Sequence, residues 1–190
     1  MDNTFFALLF RQKYIKRWGL MRSFTEENLE EHSAETAILA HALAEIGNCY
    51  FDRHYDTARV ALIALYHDAS EVITGDLPTP VKYYNDAIRD HYHAMENRAV
   101  QTLLSKLPPQ MCERYRSYLA EPDPALFVLV KAADKLSAYI KCLEEEKSGN
   151  AEFRRAQQTI SQALDKMDCP ELQWFRTNIL PTFSLTLDEL

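Results

Sequence analysis

Residues 124–147 read PALFVLVKAADKLSAYIKCLEEEK, a long stretch with the apolar spacing of an amphipathic α-helix. Its apolar positions follow one another at intervals of three and four: Leu126, Leu129, Ala133, Leu136, Ile140 and Leu143. Pro124 opens the stretch, and proline suits the first turn of a helix because the N–H group that it lacks would be unpaired there. The stretch therefore predicts a long helix with one face packed against other helices, and its end, EEEK at 144–147, predicts a solvated helix terminus.

Glycine and proline divide the rest of the chain into further helices. The four glycines stand at positions 19, 47, 75 and 149, and the eight prolines leave long intervals free. Because proline breaks helix interiors and glycine favours the position after a helix end, both residue types mark boundaries. The predicted helices cover residues 4–16, 31–46, 58–66, 69–74, 85–107, 110–119, 125–147, 150–166 and 172–179, with an extended loop over 75–80. We therefore predict an all-α fold in which residues 1–190 form one helical bundle domain.

Composition and charge exclude several classes of function. The net charge of −7 argues against binding to a nucleic-acid polymer, which normally requires a basic face, but leaves room for a small anion at a local basic cluster. The glycines are too far apart for a phosphate-binding loop or a dinucleotide fingerprint. The four cysteines form no CxxC pair, and the apolar runs over 5–10 and 60–66 are too short for a signal peptide or a membrane span. We therefore expect a cytoplasmic protein without membrane contact.

A histidine and two acids follow the most apolar stretch of the chain, within YHDASE at residues 66–71. If the helix continues there, Glu71 lies one turn from both His67 and Asp68, and the three side chains converge on one face. Buried acids and imidazoles need partners, because isolated charges in a core are costly. A divalent metal ion would serve all of them, and an ion-paired helix terminus is an equally open alternative.

Two more buried polar residues are predicted elsewhere. His32 shares a helix face with Leu39 and Leu43, so it should point inward, either as a ligand or as a core histidine bonded to a backbone carbonyl. Asp134 lies within the apolar pattern of 124–147, either as a ligand or in a salt bridge to a neighbouring lysine. Two imidazoles and two carboxylates from three helices would suit Mn, Co, Fe or Zn and leave coordination positions open for water or substrate.

These residues belong to a set of blocks that resembles a known family. The blocks are RW at 17–18, EHS at 31–33, YHDASE at 66–71, TGDLPTPVK at 74–82 and KAAD at 131–134. Together they resemble the HD-domain metal-dependent phosphohydrolases, which are all-helical. Among these the chain is similar to the bacterial 5′-deoxynucleotidases, which act on deoxyribonucleoside 5′-monophosphates.

The resemblance implies a site and an activity. One divalent metal ion, with Mn or Co favoured over Zn, Fe, Cu or Mg, would be bound by His32, His67, Asp68 and Asp134. Glu71 would be the acid–base residue and Arg17 would hold the phosphate. Besides Arg17, the substrate would contact a further set of residues, namely Trp18, His67, Asp76, Thr79, Pro80, Val81 and Lys82. The family also implies a preference for deoxyribonucleotides over ribonucleotides, and a homodimer.

Two other functions remain open at this point. One is a different HD-class activity, either triphosphate hydrolysis or phosphodiester cleavage. Triphosphate hydrolysis would require more basic residues than Arg17 and Lys82. Phosphodiester cleavage would require a second metal and further histidines. The other is a helical interaction module with a purely structural metal, which would lose its fold rather than an activity when the metal is removed.

Overall fold

The computed structural model describes residues 3–82 and 84–190, except for the side chain of Thr79. The regular elements within these ranges are all helical, which confirms the predicted fold class. The α-helices are α1 (Phe5–Leu9), α2 (Leu29–Tyr50), α3 (Thr57–Leu65), α4 (Glu71–Thr74), α5 (Thr79–Lys82), α6 (Asp86–Ser105), α7 (Pro109–Leu119), α8 (Pro124–Lys147), α9 (Arg154–Asp165) and α10 (Pro170–Asn178). Short 3₁₀ helices cover Gln12–Tyr14, Ala151–Phe153, Leu180–Ser184 and Leu187–Glu189.

The core forms around α8, which packs against α2, α3 and α9. Burial of aliphatic side chains at these contacts is the main stabilising contribution, and the fully buried members include Leu43, Ile63, Leu129, Leu136, Leu164 and Leu172. A second, smaller apolar cluster consists of Phe5, Ala69, Leu103, Leu104 and Leu107. Ala69 belongs to this second cluster, while α3 belongs to the main core around α8. The segment between α3 and α4 therefore lies where the two apolar clusters meet.

The predicted end of the second helix at Gly47 is wrong, since α2 continues to Tyr50. Gly47 serves a close approach instead: a Cβ atom at this position would lie 2.5 Å from the ring of Tyr55. The packing of the chain that follows α2 therefore explains this glycine. The close approach is made although glycine in a helix interior lowers stability by about 1 kcal/mol relative to alanine.

Two other boundaries differ from the prediction. Residues 4–16 do not form one helix, because the chain turns after Leu9 and brings Lys16 into an isolated antiparallel bridge with Asn28. The extended loop covers residues 75–78 only, and Pro80 lies inside α5. Proline is tolerated there because the N–H groups of a first helical turn have no intrahelical partner. No helix in the described part of the chain is both long and apolar enough to cross a bilayer.

The predicted solvated end of α8 is wrong for Glu145, which is 1% exposed. Its carboxylate accepts hydrogen bonds from the N–H groups of Phe24 and Thr25, from the Asn150 amide at 2.8 Å and from the Lys141 ammonium at 2.7 Å. Because Phe24 and Thr25 belong to the loop that precedes α2, Glu145 attaches that loop to α8.

Candidate metal centre

The start of α2 fixes the position of His32. The Asn28 side chain accepts hydrogen bonds from the N–H groups of Glu30 and Glu31, each at 3.0 Å. The Glu31 carboxylate in turn accepts one from the N–H of Asn28 at 3.0 Å, which completes a capping box. His32 follows directly and is fully buried. Its ring therefore projects from a well-defined helix end.

His67 and Asp68 lie in a turn and not on a continuous helix. After α3 ends at Leu65, the N–H of Ala69 donates to the carbonyl of Tyr66 at 3.1 Å, and the N–H of Glu71 donates to that of Asp68 at 3.0 Å. These bonds span three residues, so the backbone is tighter than an α-helix. The turn thus brings His67 and Asp68 together and directs their side chains toward His32 on α2 and Asp134 on α8.

The four predicted ligands come together between α2, this turn and α8. His32 Nε2 lies 3.2 Å from Asp134 Oδ1 and 3.7 Å from Asp68 Oδ2. His67 Nε2 lies 3.1 Å from Asp68 Oδ2 and 3.9 Å from Asp134 Oδ1. Ligand atoms of His32, His67 and Asp68 all lie within 4.8 Å of one another.

Both histidine rings present Nε2 toward this cluster. His67 Nδ1 donates to the carbonyl of Ala64 at 2.6 Å, and His32 Nδ1 donates to Ser137 Oγ at 3.2 Å, which itself donates to Glu35 at 3.3 Å. Both Nε2 atoms are buried without a hydrogen-bond partner. Histidine ligands of metals are typically held in this way by the opposite ring nitrogen. Two unpartnered imidazole nitrogens facing two carboxylates fit a divalent cation.

Charge makes the cluster favour a cation. Burial opposes ionisation of Asp134, but His32 and the charges of His67 and Arg17 outweigh burial and lower the pKa of Asp134. Burial also opposes protonation of His67, but the carboxylates of Asp68 and Asp134 outweigh it and raise the pKa of His67 to about 9. The two carboxylates therefore hold positive charge at this point.

Glu71 is buried beside the cluster at the start of α4. Its Oε1 atom lies 3.1 Å from the Lys82 ammonium, and its Oε2 atom is buried without a hydrogen-bond partner. Burial and then the charge of Asp68 raise the pKa of Glu71 to about 8, although Lys82 opposes the rise. A carboxyl group with a pKa near neutrality can both accept and donate a proton, which suits general acid–base chemistry.

Arg17 and Trp18 lie on the other side of the cluster. Arg17 Nη1 lies 3.9 Å from Asp68 Oδ2, and the charge of Asp76 acts on the same guanidinium. Trp18 adopts a left-handed backbone with φ of 58°, and its indole N–H donates to Glu27. A non-glycine residue in this region is strained and is found preferentially at functional sites. The structure thus brings a buried cation to the edge of the acidic cluster.

The remaining predicted residues are distributed around α5. Lys82 is paired with Glu71 and also lies 3.5 Å from Glu96. Pro80 and Val81 are exposed, with Val81 at 44%. The predicted role of Thr79 concerns a side chain outside the described part of the structure. Asp76 joins the site through its charge, which acts on Arg17 and on Glu71.

Three residues at the site were not found from the sequence: Glu27, Glu35 and Ser137. Glu35 and Ser137 form the hydrogen-bonded chain behind His32. Ser137 follows Asp134 by three positions on α8, so the same helical spacing that directs Asp134 inward could have indicated it. Glu27 lies in an irregular loop, where no periodicity reports the direction of a side chain.

Comparison with known proteins gives a consistent result. A family model described as 5′-deoxynucleotidase YfbR-like matches residues 4–183. A protein from Pectobacterium atrosepticum named 5′-deoxynucleotidase is 48% identical over 194 residues, which cover 100% of this chain and 96% of the relative.

Solved structures agree in fold. An HD-domain phosphohydrolase from Listeria innocua superimposes with a TM-score of 0.82 at 22% identity, covering 95% of this chain and 88% of the other. The HD phosphohydrolase DatZ of cyanophage S-2L, solved with dA and one catalytic Zn²⁺ ion, superimposes with a TM-score of 0.69 at 21% identity, covering 95% and 96%. At these identities the similarity establishes the helical fold of the HD-domain phosphohydrolases.

Proposed function

The chain belongs to the YfbR-like 5′-deoxynucleotidase family, and we propose that it hydrolyses deoxyribonucleoside 5′-monophosphates to deoxyribonucleoside and phosphate with one divalent metal ion. The observation that carries this function is the pair of buried, unpartnered Nε2 atoms of His32 and His67 facing Asp68 and Asp134. Glu71 and Arg17 flank this cluster, so an ion site, a proton-transferring group and an anion-binding group lie together. A relative with 48% identity over the full chain carries the same activity in its name.

The metal would be held by His32, His67, Asp68 and Asp134. Nitrogen and carboxylate oxygen donors suit Mn, Co, Fe or Zn better than they suit thiolate-preferring ions, and we favour Mn or Co over Zn, Fe, Cu or Mg. A bound divalent ion supplies Lewis acidity to a phosphoryl oxygen and makes a nearby water more acidic.

Arg17 and Glu71 would carry out the protein's share of the reaction. The planar guanidinium of Arg17 can bind two phosphate oxygens at once, which a lysine does less well. In the hydrolysis a bond forms between water oxygen and phosphorus while the bond from phosphorus to O5′ breaks. Glu71 accepts the proton of the water and returns a proton to the departing O5′.

The nucleoside would lie against Trp18 and the segment from Asp76 to Lys82, with His67 at its phosphate end. Selection against ribose requires an unfavourable contact with the 2′-hydroxyl, because an apolar pocket rejects an added hydroxyl only weakly. The proline-containing chain at Thr79, Pro80 and Val81 would supply that contact, and Asp76 would bind the remaining sugar hydroxyl. This arrangement would give the preference for deoxyribonucleotides over ribonucleotides.

Other HD-class activities fit less well. Phosphodiester cleavage with two metals would call for a second group of ligands, whereas in the described ranges one such group is found, at His32, His67 and Asp68. A purely structural metal would leave without a role the buried Glu71 carboxylate, which has one oxygen held by Lys82 and the other without a hydrogen-bond partner.

We further propose a cytoplasmic homodimer in which residues 1–190 form one domain. The family resemblance is the reason for the dimer, and α6 offers an exposed apolar surface, with Ile88 at 39% and Met95 at 43% exposure. Light scattering of the purified protein would measure the mass directly.

Metal removal and a nucleotide panel test the function. Protein stripped with a chelator should keep its helical circular dichroism and lose phosphate release from deoxyadenosine 5′-monophosphate, and added Mn or Co should restore the release. A loss of helical signal without any restored turnover would identify a structural metal instead. Equal rates on matched ribo- and deoxyribonucleoside monophosphates would contradict the sugar preference.

A further inference from the structure

Glu27 contacts three residues of the proposed site with a single carboxylate. Its Oε2 atom accepts a hydrogen bond from the indole N–H of Trp18. Its Oε1 atom lies 3.4 Å from Arg17 Nε and 3.5 Å from His32 Nδ1. The carboxylate therefore lies between the residue proposed to bind phosphate and a residue proposed to bind metal.

The carboxylate of Glu27 is only 7% exposed, which is unfavourable unless it is paired. A comparison with Glu145, which is also buried, separates two kinds of role. Glu145 is satisfied by two backbone N–H groups, an amide and a lysine outside the site. The side-chain partners of Glu27 are all residues of the site, and its Oε1 atom is buried without a hydrogen bond of good geometry. Glu27 is thus arranged to act on the site and not to secure a loop.

The backbone places Glu27 opposite Arg17. The N–H of Arg17 donates to the carbonyl of Glu27 at 3.0 Å, and the adjacent pair Lys16 and Asn28 forms the antiparallel bridge. Asn28 is also the residue that caps α2. Backbone pairing at Lys16, Arg17, Glu27 and Asn28 therefore closes the loop, and the Glu27 side chain stays free to contact the site. The helix that carries His32 begins at Leu29.

We propose that Glu27 is a positioning residue that orients Arg17 for phosphate and His32 for the metal at the same time. This inference rests on the proposed function of the site. Because one negative charge attracts both the guanidinium and the Nδ1 side of the His32 ring, a neutral residue of equal size should loosen both. The chemistry at the phosphorus remains with Arg17 and Glu71, and Glu27 acts through its neighbours.

The test compares Glu27→Gln with Glu26→Gln. Glu26 is the adjacent glutamate, but it is exposed and paired with the exposed Lys16, so it controls for the loss of one carboxylate in this loop. Mn²⁺ binding to chelator-stripped protein is measured by calorimetry, and KM and kcat are measured with deoxyadenosine 5′-monophosphate at saturating Mn²⁺. For Glu27→Gln we expect Mn²⁺ affinity to fall about 10- to 100-fold and KM to rise about 10-fold, with Glu26→Gln unchanged.

A merely structural role would change the fraction of active protein, so kcat would fall while the Mn²⁺ dissociation constant and KM stayed constant. That outcome, or values within about twofold of those for Glu26→Gln, would overturn the inference. If Glu27→Gln does not fold, Glu27→Asp replaces it: it keeps the charge at a shorter reach and should bind Mn²⁺ more weakly than wild type, and unchanged binding would overturn the inference. If the wild type hydrolyses no nucleotide, the proposed function fails, but the Mn²⁺ titrations still decide whether Glu27 orients His32.

Discussion

The Lys82 ammonium lies 3.1 Å from Glu71 Oε1, and the second oxygen of Glu71 is buried without a partner. Lys82 comes from α5 and Glu71 from α4, so the contact joins the two short helices that border the site. The ammonium also lies 4.6 Å from the centre of the Tyr92 ring. One oxygen of Glu71 is thus held by a cation, and the other stays available to exchange a proton.

Replacing Glu71 by glutamine should abolish turnover while leaving metal binding intact. The amide keeps the size of the side chain but cannot exchange a proton, and loss of a general acid–base group typically costs about 10²- to 10⁴-fold in rate. Phosphate release and Mn²⁺ calorimetry measure the two properties separately. Glu96→Gln is the matched control, because Glu96 also contacts Lys82 but lies farther away, at 3.5 Å. A Glu71→Gln variant with a rate near that of the wild type would remove Glu71 from the mechanism.

Replacing Lys82 by methionine should move the acidic limb of the pH–rate profile to higher pH. Lys82 opposes the rise in the pKa of Glu71, so its removal lets burial and Asp68 raise that pKa further above 8. Glu71 must be ionised to accept a proton, and the variant therefore needs a higher pH to reach the same fraction of active protein. The profile of kcat/KM against pH is the measurement. Lys16→Met, at an exposed pair with Glu26, should leave the profile in place, and an unmoved limb in Lys82→Met would contradict the coupling.

Glu145 should make stability depend on pH between about pH 4.5 and pH 2. Burial opposes its ionisation, but Lys141, the N–H of Phe24 and the Asn150 amide outweigh burial and lower the pKa of Glu145 from 4.5 to about 2. A pKa that is lower in the folded state stabilises that state above the unfolded pKa, and the contribution is lost as the pH falls through the folded pKa. The shift corresponds to a free energy on the order of 3 kcal/mol.

Urea unfolding at pH 7 and pH 3 measures this contribution. Glu145→Gln should lower the free energy of unfolding at pH 7 and reduce the difference between the two pH values. Glu146→Gln is the control on the same helix end, because the Glu146 carboxylate forms a salt bridge with the exposed Arg154 at 3.3 Å. Equal pH dependence in both variants would show that the Glu145 hydrogen bonds contribute little.

Replacing Gly47 by alanine should destabilise the fold. Alanine is the better helix former by about 1 kcal/mol, but its methyl group would lie 2.5 Å from the packed ring of Tyr55. Overpacking of this kind costs about 1–3 kcal/mol, so the steric term exceeds the helical gain. Gly19→Ala, where nothing lies within 4 Å of the added methyl, is the control. A thermal midpoint of Gly47→Ala equal to or above that of the wild type would mean that Tyr55 moves aside freely.

The sequence predicts this fold well where boundaries depend on local chemistry. Proline begins α7, α8 and α10 close to the expected positions, because its missing N–H matters only inside a helix. The predictions fail where contacts distant in sequence decide. Gly47 is explained by Tyr55, and Glu145 is buried by the loop at Phe24 and Thr25, neither of which is visible in a helical period.

The residues of the site also divide into those that local sequence pattern predicts and those that distant contacts decide. The burial of His32 could be predicted because it follows the apolar period of α2. Asp134 follows the apolar period of α8 and reaches His32, but its side chain is 37% exposed and not buried as predicted. The direction of Glu27 could not be predicted, because it depends on the backbone bridge between Lys16 and Asn28. The pairing of Lys82 with Glu71 likewise depends on how α5 folds back toward α4.

The short distances between the two histidines and the two aspartates have a consequence for loading. With a pKa of about 9, His67 carries a proton at neutral pH before an ion arrives, and a metal ligand must release that proton. Binding of the metal ion therefore displaces the proton of His67, and this proton is released to the solvent. Because a divalent ion brings two positive charges for the one proton released, the pocket becomes more positive by one charge on loading and so more favourable for an anion.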